Sequence, residues 1–174
     1  FRQGAPEPGS LPALLRASGY DRYRVNALVS GEAGGAPVVF EPNPTYYNLL
    51  GRIDYRATLG AMSTDHTLLR PGALHRANGG FLVLQVRDVL LNPFAWDGLK
   101  RALLNRELRM ENMGEQFTAI PTATLRPQPI PLDVKVVLLG DLATYLLLYQ
   151  ADPDFARLFR VKSQFGATMA RSAE

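Results

Sequence analysis

The sequence predicts an α/β fold in which a mainly parallel sheet is flanked by helices and carries a β-rich insert. Three observations lead there. Residues 81–86 and 134–139 are apolar runs of strand length, the composition of strands buried on both faces. Each run is followed by a stretch of helical periodicity, near 93–106 and 142–150. Glycine, proline and asparagine clusters separate the periodic segments. Strands alternating with helices favour parallel pairing, so the two apolar runs are expected side by side and parallel.

The elements follow in order. Residues 1–10, with two prolines and two glycines, read as an arm, and Leu11, Leu14 and Leu15 share one side of a short helical stretch. Residues 22–29 alternate, with Tyr23, Val25, Ala27 and Val29 on one face, and predict a strand. After a glycine-rich turn, residues 38–40 form a short strand stopped by Glu41-Pro-Asn-Pro44. A helical turn over 45–50, an extended stretch over 52–55 and a loop over 60–65 come next. Residues 73–77 are a helical turn ended by Asn78-Gly-Gly80, where positive φ is accessible. Asn92 and Pro93 provide an N-cap and an N1 proline for a helix over 93–106, with Trp96, Leu99 and Leu103 inward and Lys100, Arg101 and Arg106 outward. Residues 106–110 read as a strand or as the end of that helix, and the proline-rich 111–131 as a loop or hairpin. The helix over 142–150 places Leu142, Tyr145, Leu146 and Tyr149 together. Asp152-Pro153 caps a short helix through Leu158, and 159–163 reads as a last strand. The chain divides into an N-terminal arm (1–21), a core (22–165) and a tail (166–174), and is expected to be a piece of something longer.

Composition narrows the chemistry. Apolar residues make up 47% and charged residues 20% of 174 residues, a globular balance. The absence of cysteine excludes a disulfide scaffold, a thiol nucleophile and a cysteine zinc site. No apolar run reaches membrane-spanning length. The net charge is +3, but the 19 basic residues are scattered rather than gathered into a nucleic-acid footprint. Only Lys100, Lys135 and Lys162 are lysines and none follows a glycine loop, so these residues alone hold no nucleotide phosphate cradle. Six serines are present, yet none lies in a stretch resembling a Ser–Lys peptidase motif, and no catalytic residue is expected in this chain. His66 and His75 are nine apart and lack zinc-helix spacing, so no metal site is expected; His75 reads as a hydrogen-bonding partner near the Asn78 turn. Tyr46, Tyr47 and Trp96 read as core or rim aromatics.

One stretch says more. Arg70-Pro-Gly-Ala-Leu-His-Arg-Ala-Asn-Gly-Gly-Phe-Leu-Val-Leu84 resembles the segment leading into the magnesium-holding strand of AAA+ ATPases, in the group with magnesium chelatases, MCM helicases, enhancer-binding activators and archaeal-type Lon proteases. In that group an acidic pair follows the apolar residues and polarises a magnesium-bound water. Gln85 and Val86 occupy those positions here, with Asp88 three residues on from Gln85. Further blocks in order, Arg24-Val-Asn26, Ala36-Pro-Val-Val39, Asn43-Pro44, Leu50-Gly-Arg-Ile53, Phe94-Ala-Trp96 with Leu99-Lys-Arg-Ala-Leu103, and Asp154-Phe155 with Leu158-Phe159, resemble the ATPase-like part of bacterial LonB-like, Lon-related ATP-dependent proteases.

The resemblance covers about 22–165. It implies a partial AAA+ core whose phosphate loop lies upstream and whose Ser–Lys peptidase domain lies downstream. It implies that Gln85, Asp88 and Asp141 are remnants of a nucleotide site, Asp141 standing where a sensor asparagine is more common. Arg157 and Arg160 fall in the region of an arginine finger, with a solvated helix face as the plain alternative. The 60–65 segment falls where such proteins carry a pore-facing loop, and Met62 is its candidate for gripping an unfolded chain, because a thioether adapts its shape. The implied protein is cytoplasmic and forms a homo-oligomeric ring, a hexamer by resemblance. It feeds unfolded protein to the peptidase domain. It uses ATP and magnesium in full length, with turnover expected to be weak or absent because both acids are missing, while this chain alone is expected to take no cofactor and to be inactive. The alternatives are a DNA-engaging motor of the same group and a scaffold that has kept the fold without the chemistry.

Overall fold

The computed structural model describes residues 23–30, 34–58, 61–112 and 125–166. In chain order come strand β1 (Val38–Glu41), helix α1 (Tyr46–Leu50), strands β2 (Arg52–Ile53), β3 (Arg56–Thr58) and β4 (Ala61–Ser63), a 3-10 turn (His66–Leu68), strand β5 (Leu69–Arg70) and helix α2 (Ala73–Arg76). Strand β6 (Phe81–Gln85) then runs straight into α3 (Val86–Leu91). Helix α4 (Ala95–Asn105), strands β7 (Glu107–Leu108), β8 (Ile130–Pro131) and β9 (Lys135–Leu139), and helices α5 (Leu142–Ala151) and α6 (Phe155–Leu158) complete the order.

The central sheet has the order β1-β6-β9 and is parallel throughout. Val38 lies beside Phe81, which lies beside Lys135, and the register continues to Gln85 against Leu139. The expected parallel pairing of the two apolar runs is therefore what the chain forms. Leu82 and Leu84 point into a core with Leu49, Leu74, Val89, Leu99 and Leu108, all fully buried. Phe81, Val83 and Gln85 point the other way. Composition predicts cover on both faces of this run, whereas the described residues cover only one. The order β1-β6-β9 advances in one direction, and right-handed crossovers then place both connections on the same face.

Local chemistry explains the elements nearest the site. Thr45 caps α1 by accepting from the Asn48 N–H at 3.2 Å, and Gly51 ends it at φ 84°. Asp141 caps α5 by accepting from the Thr144 N–H at 2.7 Å. The start of α4 differs from expectation. Its cap position is Phe94, at φ 63°, while the Asn92 side chain turns back to donate to the Asp88 carbonyl at 2.8 Å at the end of α3. Helix α3 itself was not foreseen, and Val86 belongs to it rather than to the strand. Residues 106–110 contain β7, which pairs antiparallel with β8, so the ends of the 111–131 connection form a hairpin base.

Two expected strands do not form, and an expected loop is a hairpin. Residues 23–30 form no ladder, with Tyr23 76% and Val25 93% exposed. Asn26 instead donates to the carbonyls of His66 and Leu69 at 2.8 and 3.1 Å, and the His66 Nε2 lies 2.6 Å from the Arg24 carbonyl oxygen. Alternation describes a face; a strand also needs a neighbouring edge. Residues 159–163 likewise have no ladder, and Phe159 stacks on Trp96 at 6.0 Å. Within 60–65, β4 pairs antiparallel with β3, and Met62 lies opposite Ala57. The predicted short helix over 11–17 lies outside the described residues.

Candidate functional site

Parallel strands gather functional groups at their carboxyl ends, and here Gln85 and Asp141 come to one edge. Gln85 ends β6, with its side chain exposed and no capping bond into α3. Gly140 follows β9 directly, and a Cβ there would lie 2.4 Å from the Val86 Cγ1. That contact brings the turn carrying Asp141 against the start of α3. The backbone N–H and hydroxyl of Thr144 hold the Asp141 carboxyl below the usual carboxylate range. Asp88 lies in the first turn of α3.

The donor set at this corner does not fit a magnesium ion. Gln85 offers a neutral amide, Val86 is buried in an apolar cluster with Leu148 and Phe155, and Asp141 is engaged as a helix cap. No group of three metal-ligating side chains exists among the described residues.

Met62 lies on the β3–β4 hairpin, 40% exposed. The insert that carries it joins the body through the two-residue β2–β5 pair. There Asp54 accepts from the Arg52 Nε at 2.9 Å and the Arg70 Nε at 3.1 Å. Burial opposes ionisation of Asp54, but the two guanidiniums outweigh it and lower its pKa. Asn112 adds a clamp, donating to the Ile53 carbonyl at 3.1 Å and accepting from the Ile53 N–H at 3.4 Å. Sequence reading missed this contact because the partners are 59 residues apart.

Arg157 and Arg160 lie near the end of the described chain, on and just after α6. Both are exposed, and the Arg160 Nε donates to the Arg157 carbonyl at 3.1 Å. Close by in sequence is a lock that sequence reading also missed. The Asp152 Oδ2 accepts from Trp96 Nε1 and from Lys100 Nζ, each at 2.7 Å. Lys100 also lies 5.7 Å from the Trp96 ring centroid. Burial opposes the charge on Asp152, yet these two donors lower its pKa overall. The Lys100 pKa is raised, since its bond to Asp152 outweighs desolvation. Side-chain exposure of only 17% for Lys100 and 12% for Asp152 makes the pair matter. Asp152→Ala is expected to destabilise the fold by about 2 kcal/mol, because Lys100 and the Trp96 indole N–H both lose their acceptor. Urea unfolding of wild type and variant checks this, and the difference should shrink as the pH falls below the ordinary carboxylate range and through the lowered folded-state value, where Asp152 takes up its proton.

His75 is 6% exposed on α2. Its carbonyl accepts from the Asn78 N–H at 3.4 Å, its side-chain Nδ1 accepts from the Gly72 N–H at 3.2 Å in the turn before α2, and its Nε2 has no partner. Burial lowers its pKa to about 4. It therefore serves the packing of the Gly51–Gly72 contact, and no metal-binding group surrounds it among the described residues.

A hollow of about 330 Å³ is lined by Glu41, Tyr47, Asn48, Arg52, Arg70 and Arg76, but its cations are internally matched. Arg76 pairs with Glu41 at 2.8 Å, and Arg52 and Arg70 share Asp54.

The family described as LonB-like, AAA domain, matches residues 34–166, from the turn before β1 to beyond α6. A protein of Escherichia coli (strain K12) whose name marks it as a Lon protease homolog is 30% identical over 106 residues. The match takes in 58% of this chain and 16% of that protein. Among solved structures, NtrX from Brucella abortus is similar with a TM-score of 0.44 and 21% identity, over 72% of this chain and 26% of that one. No helix among the described residues is long and apolar enough to cross a membrane. A family match that spans residues 34–166, most of the chain, places it in the LonB-like AAA domain family.

Proposed function

We propose that this chain is the ATPase-like core of a cytoplasmic Lon-related protease, which assembles with copies of itself into a ring, hexameric by resemblance, and passes unfolded protein to a Ser–Lys peptidase domain outside these residues. The observation that carries this reading is the LonB-like AAA match over 34–166. The curated relative adds support through its name. Family membership suggests ATP and magnesium binding in the full protein. The corner formed by Gln85, Val86 and Asp141 supplies no acidic pair, so ATP turnover at this site is expected to be weak or absent even in the full protein. Gln85, Asp88 and Asp141 are then remnants. Arg157 and Arg160, exposed at the end of the domain, are the candidates to reach a neighbouring copy's phosphate. Met62 is the candidate to hold the passing chain.

The test uses the full-length protein and an unfolded, labelled substrate. Met62→Ser is expected to slow degradation roughly tenfold, about the loss of one apolar side-chain contact of 1.4 kcal/mol. Unchanged degradation removes Met62 from the substrate path, and no degradation by the wild type overturns the protease reading. Robust ATP turnover that disappears in Gln85→Ala would show that the amide is a working ligand and that the corner is not empty.

A further inference from the structure

The neck of the insert breaks a rule of strand pairing. Arg52 and Arg70 stand directly opposite each other where β2 meets β5. Like charges in that relation destabilise a ladder, and a pairing this short has little else to hold it. One acid serves both: the Asp54 Oδ1 takes the Arg52 Nε and its Oδ2 the Arg70 Nε. An acid in place of either arginine would make a firmer neck, so the second cation needs another reason. The hollow of about 330 Å³ beside the neck supplies one. Arg52, Arg70 and Arg76 line it together with Tyr47 and a single acid, Glu41. Asp54 does not line it, and so steadies the two neck arginines from outside. Glu41 is engaged at both oxygens, Oε2 accepting from the Arg76 Nη2 at 2.8 Å and Oε1 from the Asn43 N–H at 3.1 Å. A guanidinium carries a fork of N–H donors, and each of these three gives its acid only one. The Nη groups of Arg52 and Arg70 take no part in the bonds to Asp54. Three cations thus share two acids, and all three are about half exposed.

We infer that this hollow binds a carboxylate of a polypeptide, from an acidic side chain or a chain end, so that the base of the insert selects acidic segments while Met62 on its hairpin takes an apolar residue. The inference rests on the reading of this chain as the core that passes unfolded protein along. Charge and shape select the ligand. The excess of one positive charge matches a single monoanion, and a planar fork of N–H groups matches a planar carboxylate. Asp54 holds the forks in place before any ligand arrives, so little side-chain freedom is lost on binding. The size is at the small end of ligand sites, enough for a short piece of extended chain. Nucleic acid would need a row of phosphate contacts along a basic stripe, whereas Glu41 stands in the hollow and the remaining arginines are scattered.

The experiment is fluorescence anisotropy of the full-length protein with unfolded peptides that carry a neutral dye. The peptides differ only in one internal Glu or Gln and in a free or amidated C-terminus. The wild type is expected to bind a carboxylate-bearing form about tenfold more tightly than the amidated Gln peptide, the worth of one charge-assisted bidentate pair. Loss of the advantage when Gln replaces Glu assigns the side chain, and loss on amidation assigns the chain end. Equal affinity for all four peptides overturns the inference. Arg52→Gln leaves Asp54 paired with Arg70 and is expected to shrink the preference below about twofold while the amidated Gln peptide binds as before. A variant that keeps the full preference, or that weakens all four peptides alike, overturns it. Arg70→Gln is the second variant should Arg52→Gln not fold, and the wild-type comparison stands without either. A single-stranded oligonucleotide that displaces the Glu peptide and is itself weakened by Arg52→Gln gives the cations to nucleic acid and also overturns it. None of these readouts requires proteolysis. A protein that degrades nothing and yet prefers the carboxylate sinks only the protease reading, and one that degrades protein without the preference sinks only this one.

Discussion

Lowering the pH from 7 to 4.5 is expected to cut the stability of the fold by a large part of about 3 kcal/mol, through His75 alone. The imidazole is buried and its pKa is lowered to about 4 from 6.5. The unfolded chain therefore takes up its proton first as the pH falls. Stability is full above about 6.5, declines between 6.5 and 4, and changes no further on this account below 4. A displacement of about 2.5 units corresponds to about 3 kcal/mol at its limit. Burial explains the depression, and protonation would also turn the Nδ1 acceptor into a second donor facing the Gly72 N–H. The carboxylates Asp54, Asp65, Asp141 and Asp152 all have lowered pKa values, so their losses begin below this window. In His75→Asn, whose amide can still face Gly72, chemical denaturation at pH 7 and 4.5 should give nearly equal stabilities. A wild-type curve as flat as the variant's would remove His75 as the cause.

Gly80→Ala is expected to be the more damaging of two adjacent substitutions, by more than about 3 kcal/mol. Gly79 has φ 82° but open space around its missing Cβ, so Gly79→Ala should cost only about 1 kcal/mol of backbone strain. At Gly80 a Cβ would stand 2.0 Å from the Pro37 carbonyl oxygen and 2.7 Å from its nitrogen, and both atoms are backbone. Neither can give way. The Pro37 carbonyl accepts from the Phe81 N–H at 2.7 Å, and the Gly80 carbonyl accepts from the Lys135 N–H at 2.9 Å. One methyl group would therefore wedge apart β1, β6 and β9 where all three begin. Thermal melts of the two variants check the ranking, and equal melting temperatures for Gly80→Ala and Gly79→Ala would contradict this packing.

The parts of the fold readable from sequence are those where one-dimensional pattern is enough. The apolar runs at 81–86 and 134–139 announced paired strands, and Trp96, Leu99 and Leu103 announced α4. The unread parts depend on what meets what. Residues 22–29 alternate as a strand would, but Asn26 turns their backbone toward the insert. Helix α3 follows β6 without punctuation, so no turn residue marked its start. The strand's second face looked buried because its residues are apolar, and composition does not say whether the cover lies in the same stretch of chain. The positions of Gln85 and Asp141 at the strand ends were legible because strand ends are, whereas the Trp96–Lys100–Asp152 lock joins residues more than 50 positions apart and leaves no local trace.

The neck of the insert has a consequence of its own. Its two-residue pairing is bridged by a single carboxylate shared between two guanidiniums, with Asp54 33% and the arginines 52% and 55% exposed. Ion pairs that open to solvent are worth at most about 1 kcal/mol and fade as electrolyte rises. The hairpin bearing Met62 is thus mounted on a fitting that dissolved salt can slacken, while the leucine-packed body behind it, held by apolar contacts, stays taut.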